Sequence, residues 1–269
     1  EKHGILEAGT VYLLMKNGFP ISRNVRAQWI LEHLDSVIKL RGDISNAEDA
    51  QELEILSIIP KNNPPYWSAE KSHNYYYKIT SKSSVIFLAH KYRMVFCLDL
   101  SPSLGTIDIQ RGEVVIDEVS SAMKQCLENI SKPFLVPGSK IIHRPEIYVT
   151  IIAHSPFFTN PTQQVLVQGW LMNSDNIDSL LNLIEKCINT LEDNIANVEG
   201  ERFEGLGSYK NDEASLLGMT LNSSSNYLAN IPTISSEASF INMLRYGILA
   251  LALLPEHSCA HLVIVSDGI

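Results

Sequence analysis

The sequence predicts an α/β fold in which a mostly parallel sheet carries helices on both faces. Strand and helix patterns alternate through the last two thirds of the chain, which is typical of α/β units. Two runs, Glu146–Ala153 and Val165–Met172, are nearly continuous in apolar residues, as strands covered on both faces are. The length of 269 residues suffices for one large domain or two small ones.

The first part of the chain, residues 1–84, is expected to form a strand and helix extension followed by a linker. Thr10–Met15 is a β-rich apolar run that predicts a strand. A serine can cap a helix over Ser22–Leu40, and a second helix is expected over Ala47–Ile58, ending before a proline. Lys61–Ser84 is polar and aromatic, which favours a surface connection whose aromatic side chains pack on one another.

Residues 85–269 are expected to form the α/β domain. Its further elements are strands over Val85–Ala89, Arg93–Leu98 and His261–Ser266, a hairpin over Thr106–Ile116, and helices from Asp117, from Asp175 and over Ser235–Leu254. Residues 198–232 are rich in Gly, Ser, Asn and Glu and predict a long loop. Because an α/β sheet of this kind would normally continue, we expect the domain to be truncated at its C-terminal end and the chain to be part of a much larger polypeptide.

Charge and composition restrict the class of partner. The formal net charge is −9, and the 21 Lys and Arg residues are scattered, so we expect no nucleic-acid partner. The four cysteines are widely spaced, which favours reduced thiols in a cytoplasmic protein. The longest apolar run, Ile248–Leu254, has seven residues, whereas a spanning helix needs about 20. We therefore expect no direct insertion into a membrane.

Oxygen-bearing side chains follow two of the predicted strands. Asp99, Ser101 and Ser103 alternate after one apolar run, and Asp267 follows the last one. The carboxyl ends of neighbouring parallel strands meet at one edge of a sheet, and Mg²⁺ prefers carboxylate and other hard oxygen ligands. Asp99, Ser101, Ser103 and Asp267 therefore have the right atoms for a magnesium or manganese site, although we expect that site to be degenerate and the chain to carry no cofactor. The alternative is that Asp99 and the serines only cap the turn and the neighbouring helix.

The segment Asp99–Ser103 resembles the D-x-S-x-S motif of von Willebrand factor A domains. Val263–Gly268 is similar to a later strand of that fold that ends in Asp-Gly. The resemblance implies that the aspartate and both serines hold a metal ion. This ion in turn bridges to an acidic group on a partner.

Three departures accompany this resemblance. Pro102 replaces the usual glycine, and the hairpin Thr106–Ile116 intrudes before the following helix. The few residues before Gly247–Ala250, where the family has a threonine, contain none, so Asn242 or Ser239 would have to substitute for it.

A second resemblance runs along nearly the whole chain. The matching blocks, in order, are Val11–Lys16, Ile21–Arg26, Gln51–Ser57, Leu98–Ser103, Pro145–Ile151, Gln164–Gly169 and Gly247–Leu251. They resemble the amino-terminal region of the seizure threshold 2 family, the large scaffold subunits of the KICSTOR complex. The resemblance implies a non-catalytic scaffold whose partners are other KICSTOR subunits and GATOR components. It also implies a peripheral place at the lysosomal membrane, through partners, and restraint of mTOR signalling when nutrients are scarce.

Weaker patterns leave other chemistry open. His257, Cys259 and His261 are three possible zinc ligands within five residues, although a solvated loop histidine and a buried thiol explain them as well. Four acidic residues between Asp108 and Glu118 could serve a hydrolase or be hairpin and helix-start charges. Three hypotheses follow: a non-catalytic scaffold, which we expect, a metal-dependent protein-binding module, and an enzyme that uses carboxylates at strand ends.

Overall fold

The structure, a computed structural model, describes residues 4–19, 23–40, 52–100, 109, 111–112, 114–155, 163–207 and 236–266. Helices and mixed sheets build it, so the predicted α/β class is confirmed. Contacts divide the chain into two compact units. Unit 1 comprises residues 1–93, 129–148 and 254–261, and unit 2 comprises residues 94–128, 149–253 and 262–269. The division expected from the sequence, between residues 84 and 85, stays a prediction.

The elements follow one another in mixed order. The strands are β1 (Ile5–Met15), β2 (Val37–Lys39), β3 (Leu53–Pro60), β4 (Tyr76–Lys78), β5 (Ser84–Ala89), β6 (Lys91–Asp99), β7 (Phe134–Leu135), β8 (Ile142–His143), β9 (Glu146–His154), β10 (Gln163–Met172) and β11 (Cys259–Val265). The helices are α1 (Arg23–His33), α2 (Val115–Ile130), α3 (Ile177–Gly207) and α4 (Ser236–Ala252), with a 3-10 helix at Ala69–Asn74.

Strand β1 organises the first sheet, whose order is β2-β4-β1-β3 with β5 also paired to β1. It pairs antiparallel with β3 along most of its length. On its other side it pairs in parallel first with β4 and then with β5. Its buried side chains join the main apolar core of unit 1, which contains Ala8, Val11, Leu13, Met15, Trp29, Leu53, Ile58, Tyr77 and Ile79. The pairing is therefore mixed in this sheet, not mostly parallel.

The helix predicted over Ala47–Ile58 is wrong for its described part. Leu53–Pro60 is the strand β3, and residues 47–51 lie outside the described residues. Its Ile side chains favour a pleated surface, and pairing with β1 along the strand overrides the apolar spacing that resembles a helix. In its described residues the N-terminal part thus contributes to a five-stranded sheet and contains the helix α1, where a strand and helix extension was expected.

The helix predicted over Ser22–Leu40 is also too long. Helix α1 ends at His33, and Asp35 has a φ of 60°, the left-handed conformation that commonly ends a helix. The Ser36 hydroxyl donates a 2.6 Å hydrogen bond to the His33 carbonyl, which satisfies a carbonyl left unpaired at the helix end. The chain is then free to form the short strand β2.

The aromatic connection packs on itself, as the sequence predicts. Tyr77 is fully buried, and its hydroxyl donates to the Ser72 carbonyl at 2.9 Å. The Trp67 indole N–H donates to the same hydroxyl oxygen at 2.9 Å. These bonds satisfy the polar atoms of both rings, so the connection becomes part of the core of unit 1.

The four-stranded sheet has the order β10-β9-β6-β11. The Glu146 amide donates to the His90 carbonyl at 2.8 Å where β9 begins, and the Leu100 amide donates to the His154 carbonyl at 2.7 Å where it ends. The starts of β6 and β9 are thus joined to each other, and so are their ends, which shows that the two strands run parallel. In chain order the strands are third, second, first and fourth, the arrangement of doubly wound sheets.

Two boundaries in the second half differ from the prediction. Helix α2 begins at Val115, so the last residues of the predicted hairpin are helical, and Thr106–Asp108 lie outside the described residues. Helix α3 continues to Gly207, through the first ten positions of the loop predicted over 198–232. Adding a residue to an existing helix is easy compared with starting one, so Gly200 and Gly205 do not end the helix, which stops at Gly207.

We predict that Gly138→Ala destabilises the chain more than Gly18→Ala. Both glycines have positive φ, 75° and 89°, so each substitution strains the backbone by about 1–2 kcal/mol. A Cβ atom at Gly138 would also lie 2.6 Å from Ser57 Oγ, whereas one at Gly18 meets nothing within 4 Å. The clash should cost about 1–3 kcal/mol more. Equal free energies of unfolding in denaturant titrations would contradict it.

Candidate functional site

Asp99 occupies the carboxyl end of a buried strand. Strand β6 ends in Val95, Phe96, Cys97 and Leu98, all at most 3% exposed, and Asp99 follows them at the half-buried end of the strand. The Ser266 hydroxyl, just after β11, donates a 3.0 Å hydrogen bond to Asp99 Oδ2. Strands β6 and β11 are neighbours in the sheet, so their carboxyl ends lie side by side. Asp99 and Ser266 therefore lie together at this edge of the sheet, here called the rim.

His154 adds a third group to this rim that the sequence analysis did not select. It is the last residue of β9 and only 2% exposed. Burial lowers the pKa of its imidazole, and the negative charge of Asp99 acts in the opposite direction. The signal was available in the sequence, because His154 directly follows the predicted strand Glu146–Ala153. Only the order of the strands shows that this end lies beside Asp99.

The other predicted ligands cannot be placed. Ser101, Ser103 and Asp267 lie outside the described residues, so the approach of Asp99 to Asp267 stays a prediction. Ser266, the residue before Asp267, does reach Asp99. This contact is what a shared rim requires of the two strand ends.

The described part of the rim supplies one carboxylate for a metal ion. Within the described residues, no group of three His, Cys, Asp or Glu side chains is arranged to hold a metal. Magnesium needs one or two carboxylates together with further oxygen ligands, and here Asp99 contributes the carboxylate and Ser266 a hydroxyl oxygen. The described residues alone therefore do not make up a magnesium site, and the full set of Asp99, Ser101, Ser103 and Asp267 remains a hypothesis.

Helix α4 packs closely against the strands that carry the rim. A Cβ atom at Gly247 would lie 2.6 Å from Leu262 Cδ1 on β11 and 2.8 Å from Cys97 Sγ on β6. Cys97 itself lies 3.9 Å from the Met243 carbonyl, and burial raises the pKa of its thiol to about 11. The glycine of the Gly247–Ala250 segment thus has a packing role, and the thiol beneath it stays protonated.

The surroundings of His257, Cys259 and His261, the three possible zinc ligands, disfavour the binding of a metal ion. The Arg26 guanidinium donates to Cys259 Sγ at 3.2 Å. Burial, and then the charge of Arg26, lower the pKa of His261, and its ring stacks on Tyr92 with centroids 5.9 Å apart. A fixed positive charge beside two of the three groups opposes a divalent cation. The structure therefore favours the structural interpretation of this cluster.

A shallow cleft of about 160 Å³ lies in unit 1. Its wall includes Glu54, His73, Ser139 and Lys140 together with apolar side chains. The opposite charges of Glu54 and Lys140 give it no single electrostatic preference. Asp99 is not among the residues that line this cleft, so the cleft is not the pocket that the enzyme hypothesis needs.

Comparison with known protein families gives no assignment, because no family model matches the chain. Among the described helices, none is both long enough and apolar enough to cross a membrane.

We predict that acid destabilises the folded chain through its buried histidines. Burial lowers the pKa of His143, His154 and His261 below the ordinary value. The unfolded chain therefore binds protons first as pH falls below about 6.5. The stability that each neutral imidazole contributes is complete above that pH, and is lost as pH falls toward the lower pKa of the folded state. Each group contributes at most ~1.4 kcal/mol per pH unit.

The measurement is the free energy of unfolding by denaturant at a series of pH values, for the wild type and for His154→Gln. The variant should be less stable but have a shallower loss of stability in acid. His257→Asn is the control, because His257 is exposed and Asn tolerates its positive φ of 57°. A pH dependence that is equally steep in wild type and His154→Gln would contradict the prediction.

Proposed function

We propose that the chain is a non-catalytic scaffold region of a KICSTOR-type complex, built around a von Willebrand factor A-like sheet. In this role it binds other KICSTOR subunits and GATOR components, helps to bring the GATOR assembly to the lysosome, and thereby restrains mTOR signalling when nutrients are scarce. Its partners hold it at the lysosomal membrane.

One observation carries the proposal: four of the seven blocks that resemble the scaffold family lie mostly in strands that build the two sheets. Val11–Met15 lies in β1, Leu53–Ser57 in β3, Ile147–Ile151 in β9 and Gln164–Gly169 in β10. Of the segments without resemblance, Lys61–Ser84 contains, among strands, only the three residues of β4 and the first residue of β5, and 198–232 continues helix α3 to Gly207. Resemblance that follows structural elements in order is more specific than one short motif.

The von Willebrand factor A-like part is supported by strand order. An order of third, second, first and fourth, with an acidic residue at the carboxyl end of the first strand, places Asp99 where ligands collect in open α/β sheets. Strand β10 follows β9 after eight intervening residues, too few for a parallel crossover of a dozen or more. It therefore returns antiparallel at the edge of the sheet.

A second candidate function is metal-dependent protein binding through the same rim. The observation in its favour is the contact between Asp99 and Ser266, which brings the ends of β6 and β11 together. In this version Mg²⁺ held by Asp99, Ser101, Ser103 and Asp267 captures a carboxylate of the partner. The two functions differ in whether partner binding requires a metal.

We predict that partner binding survives chelation. The purified chain, immobilised and incubated with purified KICSTOR subunits and GATOR components, should retain the same proteins with EDTA as with added Mg²⁺. The scaffold proposal fails if none of them binds. A loss of binding of tenfold or more in EDTA would instead favour the metal-dependent function.

A charge-removing variant separates metal loss from unfolding. Asp99→Asn keeps an oxygen that can accept the Ser266 hydrogen bond and removes the negative charge. Binding within twofold of the wild type supports the scaffold, and a loss equal to that in EDTA supports the metal site. Asp178→Asn, at an exposed position in the first turn of α3, is the matched control.

A further inference from the structure

One short segment has a charge opposite to that of the chain. Residues 131–144, here called the basic hairpin, contain Lys132, Lys140 and Arg144 and no acidic residue, although the chain has a net charge of −9. All three cationic side chains belong to exposed residues. Cationic side chains that cluster on a surface attract anionic partners.

The hairpin also exposes apolar side chains at its centre. Strands β7 and β8 pair Leu135 with Ile142 and Phe134 with His143. Leu135 and Ile142 are each 57% exposed and Phe134 is 41% exposed, whereas His143 is buried. Lys140 and Arg144 stand two residues before and after Ile142, so cationic side chains flank the apolar centre along the chain.

This surface is held on a fixed base. Val136 is fully buried and packs in a cluster with Leu14, Leu56 and Leu88. The Ser57 hydroxyl donates a 2.7 Å hydrogen bond to the Pro137 carbonyl at the turn. The inner side of the hairpin is thus anchored to unit 1, and its exposed side chains are not the result of fraying.

We infer that the basic hairpin is a peripheral contact for a membrane surface that contains anionic lipids. Leu135 and Ile142, which pair with each other on one face of the hairpin, enter the boundary between headgroups and acyl chains, and Lys132, Lys140 and Arg144 contact lipid phosphates and carboxylates. The contact is superficial and involves no spanning segment. It goes beyond the scaffold role, because it gives the chain its own contact with a membrane that its partners would otherwise supply.

The size of the surface favours a membrane over a protein. A stable protein interface takes about 20–30 residues from each partner, and the exposed apolar centre here consists of Leu135 and Ile142. Binding of an added peptide strand is disfavoured as well, because β7 and β8 have two residues each and offer few backbone hydrogen bonds. A bilayer needs only a few apolar side chains ringed by cations, with each cation worth about fivefold in affinity.

An internal anion already competes for one of the cations. Lys140 Nζ lies 2.7 Å from Glu70 Oε1, and both side chains are largely exposed. Exposed ion pairs of this kind contribute little to stability, so lipid phosphates can replace the carboxylate. Removing Glu70 should therefore strengthen membrane binding, a change that a merely structural ion pair would not produce.

The test is flotation of the full chain with vesicles of phosphatidylcholine, with or without phosphatidylserine, at low and high salt. The chain should float only with phosphatidylserine and less at high salt. Binding should fall about fivefold in Arg144→Gln, fall at least tenfold in the double variant Leu135→Ser with Ile142→Ser, and rise in Glu70→Gln. Lys186→Gln and Val165→Ser, at exposed positions of α3 and β10, should leave it unchanged.

A fluorescence variant guards against a loss of binding that comes from misfolding. Leu135→Trp keeps a large apolar side chain, and its emission relative to the wild type should shift to shorter wavelength with phosphatidylserine vesicles only. Failure of the wild type to float, equal losses in the control variants, or no shift in Leu135→Trp would each overturn the inference. So would binding of an acidic apolar peptide or self-association through Leu135 without vesicle binding. Loss of KICSTOR subunit binding would leave these results unaffected, so the two proposals fail separately.

Discussion

Burial of strand β6 on both faces is the constraint on which the four-stranded sheet depends. Val95, Phe96, Cys97 and Leu98 are consecutive residues, so their side chains point alternately to opposite faces, and all four are nearly inaccessible to solvent. A strand of this kind must lie inside a sheet that is covered on both sides. Helix α4 supplies part of that cover, and it approaches closely enough only because Gly247 has no side chain.

The central place of β6 also determines the chemistry at its end. Asp99 emerges where the buried run stops, between the ends of β9 and β11. The Ser266 hydroxyl donates a hydrogen bond to its carboxylate, and the negative charge of Asp99 acts on the pKa of the buried His154. A carboxylate with a hydroxyl and a buried imidazole beside it makes a polar rim on an apolar sheet. We propose that this rim is part of a protein-binding platform. Metal-dependent protein binding, the second candidate function, would use the same edge of the sheet.

The sheet of unit 1 is stabilised in a different way. It is assembled around β1 from strands that pair in both directions, and two of them have three residues each. Such short strands are stable only when side chains anchor them, as Tyr77 does through Trp67 and Ser72. The basic hairpin depends on the same kind of support, from Val136 and Ser57. A firm base leaves its apolar and cationic side chains available to the membrane surface that we infer.

The sequence by itself determined the class of fold, most of the long strands, and helices α2 to α4. Runs such as Glu146–Ala153 and the apolar spacing of α3 are local signals that do not depend on which neighbour they meet. It also placed Asp99 at a strand end. Tertiary structure decided β3, where pairing with β1 overrode a helical pattern, and the very short strands β2, β4, β7 and β8, which exist only through their partners. Tertiary structure also decided that His154 and Ser266 lie beside Asp99. The order of strands in a sheet depends on long-range pairing, so the local sequence at the end of each strand does not predict it.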